Sequence, residues 1–294
     1  MRNWMLFCIL LACIFFSGCE TNSIAYKDAT GESINSENNH TYGDKNNRKY
    51  EIDNEGYFED IAGYKFDKYF VSEHFEIYYN SKNELNKFYA SNSIKILEEE
   101  YDRILKFLDV EDTNMPIVKI NMYDEYECLR QSIISETFFD PDDTDINLVG
   151  ITLNKDTFYF TTKSETGKMI DLKSVLVHEF VHTVTMALTN GKMQIDWLWE
   201  GTAKYLSQDR DYSEPYYKEM IDNGIPEMYL LRRNEKYRYI YGYSMVEFIV
   251  ETYGKEKFID LLLDYGDIEE VLNVTQREFR EVWKTFLKEK MKWC

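Results

Sequence analysis

The feature of this sequence that most restricts its possible folds is a helical segment with two histidines one turn apart. Apolar residues recur at spacings of three and four between Asp171 and Leu188, which predicts an amphipathic helix. This segment contains the run His178-Glu179-Phe180-Val181-His182. Because an α-helix has about 3.6 residues per turn, both histidines lie on one face, where their rings can bind one metal ion. The alternative is an ordinary helix with two partly buried histidines.

Glu179 is placed to act as a general base at such a site. It is rotated by about 100° around the helix from His178. That rotation keeps its carboxylate out of the ligand set but beside a water molecule activated by the metal.

A third ligand is expected from the next helix, because a catalytic zinc usually has three protein ligands and one open position. Glu200 lies near the start of a predicted helix from Trp197 to Leu206, and the turn residues Asn190-Gly191 let this helix return beside the first. The alternative is a first-turn carboxylate that interacts only with the helix dipole. We therefore predict one Zn²⁺ per chain, with His178, His182 and Glu200 as its ligands.

The hydrophobic pattern predicts an α+β fold. In its first half, a small mixed sheet precedes the helix with the His-Glu-x-x-His motif, and its second half is mostly helical. The predicted strands are Phe75–Tyr79, Ile117–Tyr123 and two within Val149–Thr162. The other predicted helices are Leu85–Leu108, Glu125–Ile134, Gly242–Tyr253, Lys255–Tyr265 and Gln276–Lys290. In the first of these, the apolar face is predicted to consist of Leu85, Phe88, Ile94, Leu97, Tyr101, Ile104 and Leu108.

The N-terminus has the features of an export signal. Arg2 precedes an apolar run from Leu6 to Phe16, which has the length of a signal-peptide core. The run ends in Ser17-Gly18-Cys19, and small residues before a cysteine resemble a bacterial lipobox. We expect residues 1–18 to be removed and Cys19 to carry fatty acid such as palmitate, which places the protein outside the cytoplasm on the bacterial membrane. An ordinary signal peptide and an uncleaved anchor are the alternatives.

The rest of the chain is predicted to have three parts. Residues 19–56 are rich in Asn, Ser, Asp, Glu and Lys and are expected to form a flexible tether. Residues 57–190 form the predicted α/β subdomain that ends in the histidine helix. Residues 191–294 form the helical subdomain that carries the third ligand.

The charge balance argues against nucleic acid as a partner. The chain has 34 Lys and Arg residues against 53 Asp and Glu residues, a formal charge of −19. A phosphate-binding surface needs clustered cationic side chains, which such a composition disfavours.

Three further features leave alternatives open. Cys128 and Cys294 are either a disulfide or two thiols. The acidic segment from Phe139 to Asn147 is either a cation-binding loop or a solvated loop. The segment from Gly150 to Phe160 is either an edge strand that holds an extended peptide or an internal hairpin.

The segments HEFVH and WLWEGTAKYLS together resemble the gluzincin metallopeptidases of the thermolysin/aminopeptidase-N-like superfamily. YIYGYSMVEFIVETYGKEKF and REFREVWKTFL are similar to helices of bacterial peptidase-MA-like proteins. The resemblance covers roughly Phe70 to the C-terminus. The chain departs from the family pattern in two ways. It has Lys204 where many relatives carry an acidic residue, and it lacks a GxMEN-like segment.

The resemblance implies a zinc metallopeptidase that acts on a peptide or protein substrate. Its implied ligands are His178, His182 and Glu200, and Glu179 is the implied base. Tyr239 matches a tyrosine that donates a hydrogen bond to the tetrahedral oxyanion. Two other functions stay open: a non-catalytic surface lipoprotein that binds a peptide or cell-wall component, and a zinc hydrolase of non-peptide amides.

Overall fold

The structure is a computed structural model that describes residues 54–137, 148–192, 194–208, 225, 227–228 and 235–290. Side chains are described for all of these residues except 54–57, 235–237 and 239–240. The described residues form a curled mixed sheet of six strands followed by helices. The predicted α+β class is therefore confirmed.

The described sheet has the strand order β1-β2-β3-β4-β6-β5. In the centre of the sheet, β4 is parallel to both β3 and β6. The outer pairs, β1 with β2, β2 with β3 and β5 with β6, are antiparallel. The parallel pairs require crossover connections, which the helices after β3 and β4 provide. The strands are β1 (Asn54–Glu59), β2 (Lys65–Val71), β3 (Phe75–Tyr79), β4 (Val118–Tyr123), β5 (Gly150–Asn154) and β6 (Thr157–Thr161).

Eight α-helices are described, and most of them follow the sheet. Their bounds are α1 (Glu84–Leu108), α2 (Tyr126–Thr137), α3 (Leu172–Leu188), α4 (Asp196–Ser207), α5 (Glu235–Tyr253), α6 (Lys255–Leu263), α7 (Ile268–Leu272) and α8 (Gln276–Lys290).

The sheet separates two groups of buried side chains. Ile120, Met122 and Phe160 point to the side of α1 and α3 and belong to the main core, which also includes side chains of the later helices. On the other face, Tyr123 of β4 and Leu129 of α2 belong to a smaller cluster between the sheet and α2. Alternation along the strands thus lets one sheet support helices on both faces.

Sequence reasoning missed two strands and one helix and misplaced three helix bounds by two or more residues. One of these is the end of α2, which lies at Thr137 rather than Ile134. Strands β1 and β2 carry charged residues among their apolar ones, which obscures the alternating pattern. The five-residue helix α7 is too short to show a helical period. Helix α5 begins at Glu235 rather than Gly242, and α6 ends at Leu263, just before Tyr265 and Gly266, which both have positive φ.

The predicted apolar face of α1 was wrong at the N-terminal end of the helix. Leu85 and Phe88 are 57% and 60% exposed, whereas the face is buried from Ala90 onward. The spacing rule identifies a common helix face, but that face extends beyond the part of α1 that contacts the core.

Several predictions lie outside the described residues, namely the leader with Cys19, the tether to residue 53, the acidic segment from Phe139 to Asn147, and Cys294. Cys128 is partly buried and forms no disulfide within the described part of the chain. Among the described helices, none is long and apolar enough to cross a membrane.

Candidate metal centre

Helix α3 presents its histidines from a rigid position. The side chain of Asp171 caps the helix by accepting a hydrogen bond from the Ser174 backbone N–H. Phe180 is fully buried, and its ring packs against Phe75 of β3 with centroids 5.1 Å apart. Since Phe180 lies between the two histidines in sequence, its burial fixes the rotation of the helix about its axis.

Helix α4 brings the third predicted ligand to the same place. The chain leaves α3 through Asn190 and Gly191, both with positive φ, and Gly191 donates a backbone hydrogen bond to the Met186 carbonyl. Helix α4 then packs against both α3 and α5. Glu200 lies in its second turn and is 9% exposed.

The side chains of His178, His182 and Glu200 converge. The two Nε2 atoms are 3.1 Å apart, and Oε2 of Glu200 lies 3.2 Å from Nε2 of His178 and 3.9 Å from Nε2 of His182. Among the described residues, this is the group of histidine, cysteine and acidic side chains whose ligand atoms could hold a metal ion. The three predicted ligands therefore form a group that could hold a metal ion, as expected from the sequence.

The polar atoms of this group fit a bound cation. Oε2 of Glu200 is buried, lies against the two imidazoles and makes no hydrogen bond of normal geometry within the described part of the chain. A buried carboxylate oxygen without such a hydrogen bond is unfavourable, and a cation between it and the imidazoles would satisfy it. Burial opposes ionisation of Glu200, but the two imidazoles and Arg238 hold the pKa of its carboxyl below the ordinary value. The surroundings of Glu200 thus favour its ionised, negatively charged carboxylate.

The imidazole of His182 is suited to ligation because it stays neutral. Burial and the nearby charge of His178 lower its pKa to about 3. For His178, burial opposes protonation, but Glu200 outweighs it and raises the pKa. A neutral ring nitrogen offers the lone pair that a metal needs.

Glu179 lies beside this group and is held by strand β5. The hydroxyl of Thr152 donates a hydrogen bond of 2.8 Å to Oε2 of Glu179 and lies 2.9 Å from its backbone oxygen. A Cβ atom added at Gly150 would lie 2.7 Å from Oε1 of Glu179. Gly150 and Thr152 are two residues apart on a strand, so both face the carboxylate.

The carboxyl of Glu179 has the proton affinity of a base that works near neutral pH. It is 6% exposed, and burial raises its pKa to about 7. His178 and the Thr152 hydroxyl act in the opposite direction. A base with a pKa near the working pH can accept a proton and later release it.

An ion pair lies one turn before Glu200. Asp196 accepts a hydrogen bond of 2.8 Å from the Arg238 guanidinium on α5. Burial raises the pKa of the Asp196 carboxyl, although Arg238 opposes that shift. The pair joins the start of α4 to α5 and places a positive charge near the Glu200 carboxylate.

The other predicted site residues have different outcomes. Tyr239 lies within α5, which packs on α4, but its side chain is not among those described. Cys19 lies outside the described residues. Sequence reasoning missed Thr152 and Gly150 because a hydroxyl and a glycine in a strand carry no recognisable spacing. It also gave no role to Trp199, although that residue directly precedes Glu200.

The chain was compared with known proteins. A scan against protein-family models and a search of curated proteins each found no match.

Proposed function

We propose that this protein is a membrane-tethered, extracytoplasmic zinc metallopeptidase. The observation that carries the proposal is the convergence of two imidazoles and one carboxylate on one point, with a second carboxylate beside them. His178, His182 and Glu200 form the convergent group, and Glu179 is the neighbouring carboxylate. The proposal also draws on the resemblance of these helices to gluzincins.

The distances between the ligand atoms fit tetrahedral coordination of a zinc ion. Four tetrahedral ligands at zinc bond lengths of about 2.0–2.1 Å are separated from one another by about 3.3–3.4 Å. The three observed separations are 3.1, 3.2 and 3.9 Å. Two imidazoles and one carboxylate also form the ligand set of many catalytic zinc sites, which leave the fourth position open.

The proposed chemistry is hydrolysis of a peptide bond. Zinc, when bound, supplies Lewis acidity that activates water and polarises the scissile carbonyl. The Glu179 carboxylate accepts the proton of the attacking water and then delivers it to the leaving amine nitrogen. The hydrogen bond from Thr152 holds this carboxylate in place during both transfers, and Gly150 leaves room for it because a Cβ atom there would overlap Oε1.

The substrate is proposed to lie along β5. This strand is last in the described strand order, and it pairs with β6 on one side. An extended peptide can add to such an edge through backbone hydrogen bonds. Because Gly150 and Thr152 of β5 contact Glu179, a peptide on this strand would pass beside the base. Tyr239 is proposed to donate a hydrogen bond to the oxyanion, as the family resemblance implies.

The location follows from the N-terminal sequence. Cys19 is proposed to carry the lipid that holds the protein on the outer side of the cytoplasmic membrane or on another membrane of the cell envelope. Such a lipid with two or more acyl chains anchors a protein stably. The acidic composition disfavours nucleic acid, so the proposed partners are a peptide or protein and the membrane.

The proposal can be tested on the full chain purified in detergent. Bound metal is measured by elemental analysis, and cleavage is measured with a library of quenched peptides. We expect one zinc per chain in the wild type, loss of zinc in Glu200→Gln, and retention of zinc in Glu179→Gln. Cleavage should be lost in Glu200→Gln and should fall by about 10²- to 10⁴-fold in Glu179→Gln. Glu256→Gln, at an exposed position of α6, is the matched control and should behave as wild type.

Other results would select another function. Zinc without cleavage of any peptide would favour the non-catalytic binding lipoprotein, and cleavage of only non-peptide amides would favour another type of hydrolase. A wild-type chain that binds no zinc would make the histidine helix purely structural.

A further inference from the structure

One of the proposed zinc ligands is stacked on an aromatic ring. The imidazole of His182 and the indole of Trp199 are nearly parallel, with an interplanar angle of 5° and centroids 4.2 Å apart. Both side chains are buried, with exposures of 4% and 8%. The two rings are therefore in close face-to-face contact, and stacked aromatic pairs attract each other beyond their burial.

The stacked imidazole lacks the usual outer hydrogen bond. A histidine that ligates through Nε2 usually donates its Nδ1–H to a carboxylate, a carbonyl or a water, which fixes the orientation of the ring. Nδ1 of His182 is buried and has no hydrogen-bond partner in the part of the chain that the structure describes. The His178 ring meets the His182 imidazole edge-on, with centroids 4.7 Å apart, and the indole of Trp199 is the group that lies flat against its face.

We propose that Trp199 is a positioning residue that holds the His182 imidazole by stacking and thereby raises the affinity of the site for zinc. The inference rests on the proposed function, because it assumes that His182 binds the metal. Trp199 directly precedes Glu200, so one turn of α4 supplies a ligand and also the ring that orients a second ligand.

The stacking strengthens when the metal binds. Coordination draws electron density from the imidazole and leaves it partly positive, and the electron-rich face of an indole attracts positive charge. The indole therefore stabilises the loaded site more than the empty one. Aromatic stacking and cation–π attraction together predict a loss of affinity of roughly 3- to 30-fold when the indole is removed.

The test measures zinc affinity on the full chain in detergent, by competition with a chromogenic chelator. Trp199→Leu removes the aromatic face, and Trp199→Phe keeps part of it. We expect affinity to fall in the order Trp, Phe, Leu. In the Co²⁺-loaded protein, the visible absorption bands of both variants should shift because the imidazole is reoriented. Trp283→Phe, at a fully buried position of α8, is the control for a core mutation and should retain wild-type affinity and spectrum.

Each outcome decides a separate question. If Trp199→Leu and Trp199→Phe bind zinc within twofold of the wild type with unchanged Co²⁺ spectra, the stacking is only packing and this inference fails alone. If Trp199→Leu does not fold, Trp199→Phe decides the matter by affinity and spectrum. If the wild type binds no zinc, both the proposed function and this inference fail.

Discussion

Gly201 and Gly242 are in direct backbone contact where helices α4 and α5 cross. A Cβ atom added at Gly201 would lie 2.4 Å from the carbonyl oxygen of Gly242, and one added at Gly242 would lie 2.9 Å from Cα of Gly201. No side chain fits at either position without moving a helix. Since Glu200 precedes Gly201, this contact also sets the position of the third proposed ligand.

Alanine at this crossing should therefore reduce both stability and metal binding. Gly201→Ala is expected to lower the free energy of unfolding by about 2–3 kcal/mol, because the overlap is with backbone that cannot rotate away. Zinc affinity should fall as Glu200 shifts. Gly167→Ala is a useful control, since its Cβ would meet no atom and only its φ of +74° is unfavourable. It should lower stability by about 1–2 kcal/mol and leave zinc affinity unchanged. Wild-type stability in Gly201→Ala would show that the close crossing is not needed.

Removal of the Thr152 hydroxyl should impair turnover without loss of metal. Thr152→Val has nearly the same shape but cannot donate to Glu179, so kcat should fall by roughly 10-fold. KM and zinc content should stay near the wild-type values, because the Thr152 hydroxyl hydrogen-bonds the proposed base, Glu179, and not a proposed ligand. Thr152→Ser keeps a hydroxyl and should recover most of the activity. Equal turnover in the Val and Ser variants would remove any positioning role for Thr152.

Zinc should stabilise the folded protein against heat. A ligand present at about 100 times its Kd stabilises the native state by about 2.7 kcal/mol, provided the unfolded state does not bind it. For a chain of this size the corresponding rise in Tm is roughly 5–10 °C. The rise should vanish in His182→Ala and after addition of a chelator. An equal rise in wild type and variant, measured by calorimetry, would mean that zinc binds elsewhere.

His74 and Glu98 should make stability depend on pH. Nδ1 of His74 lies 2.8 Å from Oε2 of Glu98, whose side chain is fully buried. Burial opposes the charged form of each group, but their mutual contact outweighs it, which raises the pKa of His74 above 6.5 and lowers the pKa of Glu98 below 4.5. Glu73 and Asp112 also face the ring and add to the rise at His74.

The sign of the effect follows from these two directions. The contribution of His74 is present below pH 6.5 and is lost as pH rises through its folded pKa, whereas that of Glu98 is lost as pH falls below 4.5. His74→Phe keeps a ring to stack on Tyr101. It should lower the free energy of unfolding at pH 5.5 by about 3 kcal/mol, and by clearly less at pH 9.

A surface ion pair provides the control for this pH effect. Lys255 and Asp109 form an ion pair in which the Asp109 side chain is 59% exposed. Asp109→Asn should change the free energy of unfolding by less than about 1 kcal/mol at both pH values. An equal loss for His74→Phe at pH 5.5 and pH 9, measured by denaturant unfolding, would exclude the charged pair.

Replacement of Cys19 should prevent lipid attachment. In bacteria that express the full chain, labelled palmitate is expected in the wild type and not in Cys19→Ser, because the thiol is the proposed attachment point. Cys13→Ser, within the apolar part of the leader, should be labelled as strongly as the wild type. Label in Cys19→Ser would place the lipid on another residue or favour a different kind of anchor.

The sequence predicted structure and site well where residues of one type, at a given spacing along the chain, have few possible functions. Two histidines one turn apart with an adjacent glutamate predicted a metal-binding face, and the turn at Asn190-Gly191 indicated where Glu200 would return. The α+β class followed in the same way from alternating and helical periods. These are local properties, because they depend on residues close together in the chain and on fixed helix and strand geometry.

The sequence failed where the outcome depends on contacts between distant segments. The exposure of Leu85 and Phe88 depends on how far the core extends along α1, which periodicity does not measure. The contact between Gly201 and Gly242 joins two helices that are far apart in the chain. Thr152 reaches Glu179 only because β5, the last strand in the described strand order, packs against α3.

The residue types of the candidate site can be read from the amino-acid sequence: two imidazoles and a carboxylate as possible ligands, and Glu179 as a possible base. The distances between them, the burial that raises the pKa of Glu179, and the stacking of Trp199 on His182 depend on the three-dimensional packing. The physical reason is that ligand types are a property of residues. Angstrom-scale separation and desolvation arise only when separate helices and strands pack together.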